Sequence, residues 1–228
     1  MKKLFTIILL LTIAMLLAAC GSMAESRNDS SSQRSVEVSP TSAAGSTGME
    51  KFQGKKILVV YFSRTGDNYS VGNISKGNTH IVADMIAEAT GAETFEIKTV
   101  KSYPENYKEC TVVAKKELAD DARPELVTKV ENMKDYDVIF MGYPIWWSDM
   151  PMAVYSFMES YDFSGKTIIP FCTSAGDGLT GKESSIPKYA NGATVLQGIG
   201  IEGKRAQENP DSVRTEVRQW LTKLGFVK

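Results

Sequence analysis

From Lys56 onward the chain alternates short uninterrupted apolar runs with longer amphipathic stretches, and few folds accept that alternation. Ile57-Leu58-Val59-Val60-Tyr61-Phe62 contains no charged or strongly polar residue, as a strand buried on both faces requires. Thr79 to Thr90 then places Ile81, Val82, Met85, Ile86 and Ala89 at helical spacing, and Gly91 stands where helices commonly end. The same periodicities predict strands over 94–97, 138–141, 167–171 and 194–201. They predict helices over 107–120, from Pro151, over 182–189 and over 211–224, the last opened by Pro210 and Asp211. Five strands alternating with five helices imply an α/β fold in three layers, a doubly wound parallel sheet with right-handed crossovers. Ligands of such sheets bind at the carboxyl ends of the strands, near the switch in strand order. The segments after strands one, three and four therefore hold the candidate site.

The residues before position 50 do not read as part of this core. Met1-Lys2-Lys3 is a short positive start, Leu4 to Ala19 is uncharged and apolar, and the run ends in Leu17-Ala18-Ala19-Cys20, which is signal-segment anatomy. The run is shorter than the roughly 20 residues that span a bilayer, and no basic stop-transfer cluster follows it. It resembles a bacterial lipoprotein signal, which implies removal of residues 1–19 and lipidation of Cys20. Several acyl chains on one cysteine satisfy the need for more than one chain in stable anchoring. Gly21 to Gly48 is crowded with Ser, Ala, Thr, Gly and Asn and reads as a disordered tether with a typical reach of about 30 Å. The expected organisation is a signal segment over 1–19, a lipidated cysteine and tether over 20–49, and one domain over 50–228. The expected location is extracytoplasmic, anchored to a membrane by lipid.

The formal net charge of −1 and a pI near 6.0 offer no field that would recruit a nucleic-acid backbone. Of the cysteines after Cys20, Cys110 falls in a helical pattern and Cys172 at the end of a buried strand, so free thiols are expected. His80 is the single histidine, which excludes a His-cluster metal site and makes a Ser-His-Asp hydrolase hard to build. It reads as a first-turn helix residue, and no metal site is expected.

After the first strand come Ser63-Arg64-Thr65-Gly66 and, at the helix start, Gly77-Asn78-Thr79. Hydroxyls, small residues and unpaired amides at a helix N-terminus suit a phosphate monoester, although Ser and Thr also cap helices for structural reasons alone. After the third strand comes Gly142-Tyr143-Pro144-Ile145-Trp146-Trp147-Ser148-Asp149-Met150-Pro151. Two adjacent tryptophans at a ligand edge suit a flat aromatic ligand, and the alternative is that one or both plug the core beneath the third helix. Thr173-Ser174-Ala175-Gly176-Asp177-Gly178 is a third small, polar loop.

Together these loops resemble those of the flavodoxin family, over residues 54–226. The resemblance implies a flavodoxin-like sheet of strand order 2-1-3-4-5 and non-covalent FMN. It implies that Ser63, Arg64, Thr65, Gly77, Asn78 and Thr79 belong to the phosphate loop, with residues 66–76 as an insertion that splits it. Pro144, Ile145, Trp146, Trp147, Thr173, Ser174, Gly176 and Asp177 then flank the isoalloxazine. No glycine lies between Gly142 and Gly165, whereas one-electron carriers of the family place there a Gly turn whose peptide flips toward the flavin. Asp177-Gly178-Leu179-Thr180-Gly181 partly resembles a covalent flavin-attachment site, but Lys182 and Glu183 depart from that pattern. Tyr103-Pro104 and Tyr107 form either a partner edge or ordinary loop packing. The implied function is electron transfer with a redox protein or a membrane donor or acceptor. The alternatives are an NAD(P)H-dependent quinone or nitro reductase with Trp146 or Trp147 as substrate platform, and a flavin-free binding module.

Overall fold

The computed structural model describes residues 52–228. The signal segment, Cys20 and the tether expected from the sequence lie outside the described residues. Among those described, no helix is long and apolar enough to cross a membrane.

The first strand, β1 (Ile57–Tyr61), leads into a small hairpin, β2 (Gly66–Asn68) and β3 (Gly72–Ile74), and then α1 (Asn78–Thr90). β4 (Glu93–Glu96) and α2 (Tyr107–Ala119) follow, then β5 (Val138–Pro144), α3 (Met152–Glu159) and β6 (Thr167–Ser174). The chain closes with α4 (Ile186–Tyr189), β7 (Thr194–Val195), β8 (Ile199–Glu202), α5 (Gly203–Glu208) and α6 (Pro210–Leu224). The main sheet runs β4-β1-β5-β6, with β7 and β8 both on the far side of β6, and every pairing in it is parallel. This is the expected order, with β7 and β8 together as the fifth strand.

Burial on both faces explains the uninterrupted apolar runs. Leu58, Val60 and Phe62 join one core with Ile139, Met141, Ile168 and the buried face of α3. Val59 and Tyr61 point the other way, into a second core with Phe140, Ile169, Phe171, α1 and α6. β5 and β6 run three residues beyond their expected ends, and the ladder continues through Tyr143 opposite Cys172 and Pro144 opposite Thr173. The loops that matter chemically thus start from paired backbone.

Two expectations are corrected. The single strand expected over 194–201 is broken in two, because one extra residue lies between Val195 and Ile199 relative to Ile168 and Phe171 of β6. The cause is Pro170. Thr194 and Leu196 donate to the carbonyls of Lys166 and Ile168, so the even-numbered residues of β6 turn their polar groups toward β7, and Pro170, next in that series, has no N–H. The helix expected over 182–189 is a 3₁₀ turn, Lys182–Ser185, followed by one turn of α-helix. The insertion over 66–76 is an ordered antiparallel hairpin, and α5 is an element that the periodicity did not predict.

Gly142 lies opposite Phe171, and a Cβ there would overlap the phenyl ring, with Cε2 2.5 Å away. Gly142→Ala is expected to destabilise the protein by about 1–3 kcal/mol through overpacking. Chemical denaturation of the full chain checks this, and an unchanged midpoint would contradict it.

Candidate functional site

The site begins where β1 runs out of partners. Ser63 turns its hydroxyl back to α1 and accepts the His80 amide at 3.1 Å, capping a helix whose own N-cap, Gly77, has no side chain to offer. The approach is so close that a Cβ on Gly77 would overlap Ser63 Oγ and stand 2.6 Å from the Arg64 carbonyl, so only glycine fits. The amides of Asn78 and Thr79, in the first turn, find no acceptor among the described residues. With the helix dipole behind them they make an anion-favouring corner.

Neighbouring side chains are fixed by groups far away in sequence. Thr79 is buried, its hydroxyl 2.8 Å from that of Thr173, which ties α1 to the end of β6. One of these hydroxyls donates to the other, leaving the second O–H for a third group. Gln207 of α5 donates to Asn78 Oδ1 and to the Lys76 carbonyl, each at 2.8 Å, and so sets the Asn78 amide. Arg64, expected at the phosphate, is occupied elsewhere. Its guanidinium donates to the carbonyls of Pro104 at 2.9 Å, Glu105 at 3.0 Å and Asp67, bracing the hairpin against the chain after β4. Asp67 adds a backbone bond to Glu105 O at 2.9 Å.

The two tryptophans part company. Trp146 and Asp149 exchange backbone hydrogen bonds of 2.9 and 3.0 Å across a tight turn whose central residues, Trp147 and Ser148, have φ of 52° and 60°. Two successive left-handed residues make the type I′ geometry, at a cost of roughly 1–2 kcal/mol each for residues other than glycine. Trp146 packs edge-on against Phe62 and Tyr103, with centroids 5.3 and 5.0 Å away, at the margin of the α3 core. Trp147 is 50% exposed, donates from Nε1 to the Thr111 carbonyl at 3.0 Å and carries the Lys115 ammonium over its ring.

Asp149 holds this turn. It is buried, and Oδ1 accepts from the Met150 amide at 2.8 Å and the Tyr155 hydroxyl at 2.7 Å while Oδ2 pairs with Lys182 at 3.0 Å. Burial, and then the hydrogen bond to Asp149, push the Tyr155 phenol well above its ordinary range. Asp149, Tyr155 and Lys182 were not singled out by the sequence analysis. An acid two residues after the tryptophan pair is the only signal that could have found them.

In the third loop Ser174 accepts the amides of Gly176 and Gly178, both at 3.1 Å, so its hydroxyl oxygen serves its own turn. Thr180 donates to the Ser148 carbonyl at 3.3 Å, linking the third loop to the tryptophan turn. The Cys172 thiol meets Gly178 O at 3.2 Å, and burial, helped by the charge of Glu183, pushes it up to about 12. Burial also raises the Cys110 thiol, and both cysteines are free. His80, the third residue of α1, lies against Tyr61 with its Nε2 3.5 Å from Asp84, and no metal-holding cluster occurs among the described residues.

These loops enclose a cavity of about 420 Å³. Of the residues expected at the site, Arg64, Asn78, Pro144, Ile145, Trp146, Trp147, Thr173 and Ser174 line it. Ser63, Thr65, Gly77 and Thr79 do not face the cavity itself; Ser63, Gly77 and Thr79 form the structure beneath the corner at α1, and Thr65 is exposed. Gly176 and Asp177 lie on the exposed outer turn of the third loop, with Ala175 lining in their place. The cavity also has walls that the sequence analysis missed, from the hairpin, from α2 and from the start of α5.

A family profile for flavodoxins matches residues 56–224. No curated protein matches the chain significantly. Among solved structures, a protein assigned as a flavoprotein from Bacteroides uniformis is 31% identical, covers 74% of this chain and 98% of its own, and superposes with a TM-score of 0.59. A similar protein from Bacteroides eggerthii is 28% identical over 76% of this chain and 99% of its own, again with a TM-score of 0.59. A flavoprotein from Lactobacillus acidophilus, solved in complex with FMN, is 20% identical over 68% of this chain and 97% of its own, with a TM-score of 0.51, a likeness in fold.

Asp149→Ala leaves the Tyr155 hydroxyl and the Met150 amide without their acceptor in a buried place. The expected loss is about 2–3 kcal/mol of stability, read as a lowered denaturation midpoint, with Asp149→Asn losing less because one acceptor oxygen remains. A variant as stable as the parent would show that the turn does not depend on this carboxylate.

Proposed function

Because the chain belongs to the flavodoxin family, we propose that it binds FMN non-covalently at the carboxyl edge of its sheet and transfers electrons at the outer face of a bacterial membrane. The observation that carries this is the pair of unpartnered amides at Asn78 and Thr79, in the first turn of α1, beside a cavity that Asn78 and both tryptophans line. A phosphate monoester needs several donors in one corner. The two amides supply them, and Ser63, which accepts from His80 beneath them, holds the start of α1 in place. Gln207 holds the Asn78 side chain in place for the same group. A planar ring needs flat apolar walls, and Ile145, Trp146 and Trp147 offer them, with Ser174 and Ala175 on the third loop. The residues therefore fit the cofactor, which when bound supplies the electron-accepting and electron-donating ring.

The protein's part is to hold the ring, keep water from it and set the field around it. An apolar tryptophan wall disfavours negative charge on the reduced ring and so lowers its potential. The turn after β5 is rigid. Turning over the Trp147–Ser148 peptide would take Trp147 to φ of about +60° and ψ of about −120°, a conformation reserved for glycine. This chain therefore keeps that peptide in one orientation, in contrast to a glycine turn that flips.

Leu17-Ala18-Ala19-Cys20 supports lipid anchoring outside the cytoplasm, where the electron donor or acceptor is a redox protein or a membrane component. The near-neutral net charge of −1 is consistent with a carrier held in place by its anchor rather than steered by a strong field.

Flavin fluorescence quenching on titration of the full chain tests the cofactor assignment. Gly77→Ala, which forces Ser63 and Arg64 away from α1, is expected to weaken FMN binding at least about tenfold with the fold retained. No FMN binding by the parent chain would overturn the proposal. For the anchor, Cys20→Ser is expected to move the protein from the membrane to the soluble fraction and to abolish the mass added by acylation. Retention of membrane association by that variant would argue against lipid at Cys20.

A further inference from the structure

We infer that Lys204 of α5 is the residue that selects for a phosphate monoester, its ammonium adding a positive charge to the corner made by the Asn78 and Thr79 amides. The inference rests on the FMN reading and deepens it, by naming what lets the site tell FMN from the same flavin without its phosphate.

The first argument is placement. One face of α5 is fastened to the corner at two points. A Cβ on Gly203 would overlap the Asn78 side-chain amide, so the backbone there lies directly against Asn78. Four residues on, Gln207 donates to Asn78 Oδ1 and to the Lys76 carbonyl, each at 2.8 Å. Ala206 is buried in the core shared with α1 and α6, and Arg205 pairs with Glu216 of α6 at 2.8 Å. The helix is thus fixed relative to the corner, and Lys204, next to Gly203, lines the same cavity as Asn78. Its four-carbon stem lets the ammonium swing over that wall.

The second argument is charge. Arg64, Glu202 and Lys204 are the charged residues that line the cavity among the described residues. The carbonyls of Pro104, Glu105 and Asp67 already take up the Arg64 guanidinium. Glu202, opposite Ser174 in the ladder between β6 and β8, is itself an anion and can only oppose another. Lys76 and His80, near the start of α1, both face Asp84, and neither lines the cavity. That leaves Lys204. Its ammonium makes no hydrogen bond among the described residues and stands 3.8 Å from Glu208 in an exposed pair, which is worth little. Three hydrogens are therefore free for a phosphate oxygen, and bonds between ionised groups are the strong ones. Two neutral amides alone would leave most of a phosphate's charge uncompensated, with Glu202 adding to the deficit.

The test uses full-length protein, titrated by fluorescence quenching with FMN and, separately, with riboflavin, at low and at high salt. The parent is expected to bind FMN more tightly than riboflavin. Lys204→Ala is expected to weaken FMN binding about tenfold and to leave riboflavin within about twofold. Lys204→Arg keeps the charge and is expected to hold FMN within about threefold of the parent. Added salt is expected to weaken FMN binding by the parent more than by Lys204→Ala, which lacks the ion pair that salt screens. FMN bound as tightly by Lys204→Ala as by the parent, an equal loss for riboflavin, an equal loss in Lys204→Arg, or the same salt dependence in parent and Lys204→Ala would overturn the inference and leave the FMN reading standing. A parent chain that binds neither flavin overturns that reading, and the inference falls with it.

Discussion

A parallel sheet with both faces covered leaves its backbone only one place to meet a ligand, the edge where the strands end and the ladder runs out of partners. Every feature of the site follows from how this chain closes that edge. β5 and β6 extend to Pro144 and Ser174, and the Ile145 amide still bonds to the Thr173 carbonyl at 2.8 Å, so the loops leave from fixed points. The Thr79 and Thr173 hydroxyls then join two segments 94 residues apart at 2.8 Å inside the protein. Buried polar groups must be paired, and this bond pairs two of them while fixing the helix start relative to the third loop.

What could be read from the sequence, and what could not, divides along the same line. Runs such as Ile57 to Phe62 have no polar alternation because both faces are buried, and that made the strands legible, while their order followed from the resemblance to flavodoxins. The break between β7 and β8 depends on which neighbour Pro170 faces, a matter of register that no local pattern carries. The hairpin was missed because Gly66–Asn68 and Gly72–Ile74 are too short and polar to show a period, and it stands on Arg64 and on carbonyls some forty residues away. α5 is six residues long and is tied to the site through Gln207. At the site itself the positions of the loops were legible, but the partners of individual side chains were not. Arg64, Thr79 and Ser174 carry the right chemistry for a phosphate or a ring edge, and the fold engages each of them in internal bonds.

The tryptophan pair shows how little adjacency in sequence means at a tight turn. Left-handed backbone at Trp147 and Ser148 reverses the chain within two residues, so neighbouring indoles take different surroundings. One becomes part of an aromatic cluster with Phe62 and Tyr103, and the other a bracket between the turn and α2. Trp146 thus takes part in core filling, and both indoles line the cavity. The buried Asp149, with its three partners, keeps so unfavourable a turn in a single conformation.

The ends of the sheet carry a different consequence. A long, flat outer strand is a template on which another chain can add, and neither outer position here offers one. On one side the strand is divided into pieces of two and four residues by the unpaired turn opposite Pro170. On the other, β4 is four residues long and begins and ends with glutamate, so an approaching copy meets like charge at both ends. The same proline that interrupts the ladder thus also shortens the backbone edge that this side of the sheet offers.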